Sequence, residues 1–191
     1  VKISMTVGLG LVVALMGYYV YGIWNHVYRE DPTEMDNLEK TTALGNPYWH
    51  DTSNLQTENG HYVYLYIATD ELKAAWNNRS SFDFDGLDRA GQEIKYTILR
   101  FLTSKGLKKD AEGAARLTDA EVDLIEHGVA SRVYVDHSRI YVRIYKSIAE
   151  FKRYRETKDP TRRSLMQRME YWKAAWNIIQ RNWITGVGTG D

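Results

Sequence analysis

From Ile3 to Trp24 the chain runs for 22 residues without a charged side chain. As a helix rising ~1.5 Å per residue, such a run covers the ~30 Å hydrocarbon core of a bilayer. Its far end carries Tyr18, Tyr19, Tyr21 and Trp24, rings suited to the level where headgroups meet water. A buried core helix seldom runs this long without a charge. A cleaved signal peptide needs a short apolar core and a small-x-small site, which Tyr21-Gly-Ile-Trp-Asn-His does not offer. The expectation is a transmembrane helix with its interface over residues 1–28, then a polar domain over residues 29–191. Lys2 and Arg29, one basic residue on each side, tip the orientation only slightly toward an N-terminus at the cytoplasm.

The polar part has an uneven charge. Residues 30–88 hold twelve Asp and Glu against three Lys and Arg, whereas residues 139–181 hold twelve Lys and Arg against four Asp and Glu. Two readings follow: the two stretches pair with each other in the fold, or the basic one meets an anionic ligand such as phosphate or lipid headgroups. Nucleic acid is a poor candidate for a chain held at a membrane. The absence of cysteine excludes disulfides, thiol catalysis and thiolate metal sites. The chain opens at Val1 beside the apolar run and closes on Gly190-Asp191, so a segment of a longer protein is expected.

The domain reads as mainly helical, with a place for a short strand or β-hairpin. Residues 29–60, rich in Asn, Asp, Thr and Gly, read as a loop. His61–Ala68 is aromatic and β-branched, which favours a strand, yet the same apolar run could begin a helix through Trp76. Asp88 reads as the N-cap of a helix to about Ser104, stopped by Gly106. Thr118 and Glu121 form a capping box for a short helix ended by Gly128. Arg139–Thr157 is helical in its later part, and the residues around Asp136-His137-Ser138 could form a hairpin. Ser164 and Gln167 make a second capping box, followed by Leu165, Met169, Trp172, Trp176 and Ile179 on one helical face.

Few groups carry recognisable chemistry. Asp83-Phe-Asp85-Gly86-Leu87-Asp88 fails the calcium-loop spacing, because Leu87 takes the fifth ligand position. His26, His50, His61, His127 and His137 show no metal-ligand spacing. Arg168 lies at the edge of the apolar face, beside Trp172 one turn on, where an Arg either snorkels over the ring or finds an anion. Gly186, Gly188 and Gly190 alternate and free the backbone for close approach of a ligand. They follow a helix, whereas a dinucleotide fingerprint opens one.

Arg168-x-x-Tyr171-Trp172-x-x-Ala175, followed after about ten residues by Gly186-Val-Gly188-Thr-Gly190-Asp191, resembles the large periplasmic loop of the bacterial O-antigen ligase and O-antigen polymerase family. The similar stretch covers residues 164–191. Thr103–Gly113 is similar to members from Bacteroidetes-type bacteria. Members usually carry Pro where Asn182-Trp183 stands here. The resemblance implies a fragment of a polytopic inner-membrane glycosyltransferase, with residues after about 28 in the periplasm. It implies metal-independent transfer, with no cofactor, of a glycan from undecaprenyl diphosphate. A ligase passes the glycan to lipid A–core, and a polymerase to another carrier-linked repeat. Arg168 is the position implied to meet the donor diphosphate, where a guanidinium can hold phosphate oxygens bidentately as the leaving group gains charge. The family's catalytic His, a general base for the acceptor hydroxyl, would fall beyond residue 191. The alternative expectation is a binding or sensor domain on a single-pass anchor.

Overall fold

The computed structural model describes residues 2–30, 32–158 and 164–181. These residues are mainly helical, with eight α-helices and one two-stranded sheet. The chain forms two compact units, residues 1–142 and 143–191, divided within one helix.

In the first unit, α1 (Lys2–Val27) is a single helix of 26 residues. Val7–Val27 is long and apolar enough to cross a membrane. Val7, Leu9, Leu11, Leu15 and Met16 are exposed, while Ile23 and Val27 near the C-terminal end are buried. The helix is therefore apolar all round at its start and packed only at its end. A short 3-10 helix, Pro32–Met35, follows.

The loop expected over residues 29–60 conceals a hairpin. β1 (Thr57–Glu58) pairs antiparallel with β2 (His61–Tyr62). Asn59 and Gly60 between them have φ of 53° and 90°, both left-handed, as the favoured two-residue turn requires. Neither reading of His61–Ala68 holds along its whole length. Extended pairing stops at Tyr62, and Tyr66 turns left-handed at φ 56°. Ile67 then bridges Trp49 on one side and Lys109 on the other, and α2 (Thr69–Asn77) begins two residues later.

The core gathers α2, α3 (Ile94–Ser104), α4 (Ala111–Ala115) and α5 (Asp119–Glu126) around Leu72, Trp76, Ile98, Phe101, Leu102 and Ile125. Asp88 does not cap α3, which starts five residues later than the sequence pattern suggests, with Glu93 at its N-cap. Its carboxylate is engaged in the preceding turn, accepting from the backbone N–H of Ala90 and Gln92 at 2.9 Å each and from the Thr97 hydroxyl at 3.0 Å. Gly106 ends α3 at φ 66°, as expected. The Thr118–Glu121 capping box is formed in both directions, and the same Glu121 binds Lys105 at 2.8 Å and Arg132 at 2.7 Å. Burial pushes the Glu121 carboxyl up, but Lys105 and the Thr118 N–H outweigh it and hold it low.

The hairpin expected near residues 133–142 is instead two helices, α6 (Val133–Asp136) and α7 (Arg139–Thr157). Ser138 decides this, since its hydroxyl accepts from the Tyr141 N–H at 3.3 Å and its carbonyl from the Val142 N–H at 3.0 Å. Three carboxylates of the acidic stretch find partners outside the basic one: Glu58 with Arg100 at 2.7 Å, Glu39 with Lys108 at 2.6 Å, and Asp85 with Lys73 of the acidic stretch itself.

Gly113 sits inside α4 against the backbone. A Cβ there would lie 1.9 Å from the Lys108 carbonyl oxygen, and that carbonyl does not yield as a flexible side chain would. Gly113→Ala is expected to cost at least the ~1–3 kcal/mol of ordinary overpacking, read as a lowered midpoint of thermal unfolding. An unchanged midpoint would refute this packing.

Candidate functional site

Two places hold chemistry-bearing residues, one in each unit. In the second unit, α8 (Ser164–Arg181) packs against the later part of α7. Glu150 of α7 accepts from the backbone N–H of Leu165 at 3.2 Å and of Met166 at 3.4 Å, so its negative charge lies at the positive end of the helix. The Tyr154 hydroxyl donates to Glu170, and Lys173 lies 2.9 Å from the same carboxylate oxygen. These two partners hold the Glu170 carboxyl below its usual range. The side chain of Ser164, expected in a capping box, lies outside the described residues.

Met166 is buried and Met169 half-buried. Beyond them the apolar face is bare, with Tyr171 and Trp172 at 71% and 68% exposure and Trp176 and Ile179 exposed as well. Arg168 is exposed. It stands two residues from Glu170, roughly 200° round the helix, and so points away from that carboxylate. Among the described residues it has no ion pair, and no ring contact joins it to Trp172. The predicted trio Arg168, Tyr171 and Trp172 thus shares one solvent-facing side of α8. Gly186, Gly188 and Gly190 lie outside the described residues.

The second place was not foreseen. In the first unit a cavity of about 140 Å³ is lined by Glu34, His61, Tyr66, Thr103, Gly106, Leu107, Lys108 and Lys109. Lys109 is only 2% exposed. Its ammonium donates to the Tyr62 carbonyl oxygen at 3.2 Å. Burial pushes it down to about 8, against a smaller opposing pull from Glu34. Glu34 itself accepts from the Tyr62 N–H at 2.9 Å and lies 3.4 Å from His61 Nδ1.

Tyr66, the bulkiest of the left-handed residues, is held there by its neighbours. Its N–H donates to His50 Nδ1 at 3.1 Å, and its carbonyl accepts from the Lys109 N–H at 2.9 Å. Lys108 lies over the rings of Tyr48 and Tyr66. A large side chain at positive φ is uncommon and persists where its surroundings over-determine it. The one sequence signal for this region was the stretch Thr103–Gly113, noticed for its resemblance and not for its buried lysine. Among the described residues no cluster of three or more His, Asp or Glu could hold a metal ion.

No family model, curated protein or solved structure matches the chain.

Lys109 makes stability depend on pH with a definite sign. Its folded pKa lies below the ~10.4 of a free lysine. Between those values the unfolded chain binds the extra proton, so stability rises with pH. Tyr48 and Tyr66 are pushed up by burial. Above about 10 the unfolded tyrosines ionise first, and stability falls again. Denaturant unfolding is expected to show a gain from about pH 8 to about 10 that Lys109→Met abolishes. An equal gain in that variant would count against the assignment.

Proposed function

We propose that the chain is part of an inner-membrane glycosyltransferase. It takes a glycan from undecaprenyl diphosphate on the periplasmic side and passes it to lipid A–core or to another carrier-linked repeat. The observation that supports this reading is the placement of Arg168, an exposed guanidinium without an ion-pair partner among the described residues, beside the bare aromatic side of α8. A lipid diphosphate offers both things that surface lacks: oxygens for the guanidinium and an apolar chain for the rings. The apolar helix at the other end of the chain is consistent with it.

In this reading α1 is one spanning helix of a larger bundle, and the residues after it lie outside the cytoplasm. Arg168 holds the diphosphate as its bond to the sugar breaks and negative charge collects on the phosphate oxygens. Fixed positive charge aimed at a developing anion lowers the barrier by stabilising the transition state more than the ground state. Glu150, Tyr154 and Lys173 serve as positioning residues by fixing α8 on α7. The general base belongs to the rest of the protein, beyond residue 191.

A second reading is a binding or sensor domain on a single-pass anchor. It is favoured by one observation: among the described residues α1 alone is long and apolar enough to cross a membrane.

The test is Arg168→Ala in the full-length gene, with surface polysaccharide scored on a gel and protein level checked by blot. Loss of about 3 kcal/mol of transition-state stabilisation, typical for removing one charge-stabilising donor, is a drop of ~100-fold in transfer. Arg168→Lys is expected to recover only part, because an ammonium lacks the planar fork. Normal polysaccharide at normal protein level in the alanine variant would overturn the reading and leave the anchored binding domain.

A further inference from the structure

The cavity at Lys109 holds a feature the glycosyltransferase reading leaves unused. An ammonium has three N–H donors. That of Lys109 makes one hydrogen bond among the described residues, to the Tyr62 carbonyl oxygen, and a long one at 3.2 Å. A buried charged donor left unmatched is costly, and native proteins rarely tolerate it without a reason. The protein does not relieve the cost with a carboxylate in contact. Glu34 lines the same cavity but is committed to the Tyr62 N–H and to His61.

The walls are also built to stay in place. Gly106 brings α3's end so close to His61 that a Cβ would lie 3.1 Å from its Nε2, and Tyr66 is kept left-handed by a hydrogen bond on each of the two peptide groups that flank its Cα. A second cavity, about 270 Å³, shares Gly106, Leu107 and Lys108 with the first and adds Asp110, Glu112 and Arg116. Its lining mixes cations and carboxylates with apolar surface.

We propose that the cavity lined by Lys109, His61, Tyr66 and Lys108 binds a small oxyanion, a phosphoryl or carboxylate group carried by a polar ligand. The missing hydrogen bonds of the buried ammonium go to the oxyanion. Its charge completes a site in which Glu34 already neutralises part of the positive charge. The site is independent of Arg168 and of the transfer reaction. It stands whether the chain belongs to a glycosyltransferase or to an anchored binding domain.

The experiment is NMR on the full chain in detergent micelles with lysine labelled at 13Cε, the Lys109 signal being assigned by its absence in Lys109→Arg. The resonance is followed from pH 6 to 11 in sodium phosphate, in sodium glucuronate and in sodium chloride at equal ionic strength. An oxyanion beside the ammonium favours its charged form, so the titration midpoint moves upward from that in chloride by about one pH unit, a tenfold change in proton affinity. A move in phosphate alone identifies a phosphoryl ligand, and a move in glucuronate alone an acidic sugar. Moves in both show that the shared oxyanion is what is recognised. Identical titrations in all three salts would overturn the proposal, and because the readout is made on the unaltered chain, a misfolded variant cannot imitate that result.

Discussion

A small amide helps to join the apolar helix to the polar domain of the first unit. Asn59, at the tip of the β1–β2 turn, accepts from His26 Nε2 at 2.7 Å and donates to the Ser104 carbonyl oxygen at 2.7 Å. Because the Asn59 oxygen can only accept, His26 carries its proton on Nε2, and its Nδ1 accepts from the Tyr141 hydroxyl at 2.5 Å. The Asn59 side chain therefore ties the end of α1 to the end of α3, and His26 in turn ties α1 to the start of α7. Ile23 and Val27 in the same last turns of α1 are buried, and His137 stacks on Tyr141 with ring centres 4.0 Å apart. Without the left-handed Asn59 the turn would not present both ends of its amide, and α1 would lose this polar tie to the end of α3.

The pattern of what was legible in the sequence follows from how local each cause is. The Thr118–Glu121 box and the glycines at 106 and 128 act within four or five residues, so their spacing alone displays them. The Asn59-Gly60 hairpin signal was equally local, but it sat in a stretch whose polarity read as loop. Asp88 misled for the opposite reason. It is a good capping residue, yet its carboxylate serves a turn and a threonine nine residues away, a competition that no propensity scale encodes. The lysine at 109 was invisible as a site because its meaning depends on Glu34, Tyr62 and Tyr66, brought together only by the fold. On α8 the helical period revealed the apolar stripe, while its bareness beyond Met169 emerged only with the packing on α7.

Charge distribution teaches a related lesson. A long acidic stretch and a long basic one invite the idea that they neutralise each other. Glu58, Glu39 and Asp85 settle on Arg100, Lys108 and Lys73, cations that lie outside the basic stretch. Such pairs are mostly half-exposed and contribute modestly to stability.

α1 runs unbroken from Lys2 to Val27, and its last turns are locked to the domain at Ile23, His26 and Val27. A helix so clamped behaves like an indexed shaft. Adding one residue between Gly17 and Ile23 would turn everything upstream by ~100° and push it ~1.5 Å along the axis. Seven added residues would nearly restore the bearing, with an error of ~20°. The compass direction in which the domain faces, relative to whatever surrounds the apolar helix, is thus written in the residue count of a short apolar segment, one of whose rings, Tyr19, meets Tyr141 edge-on at 6.3 Å.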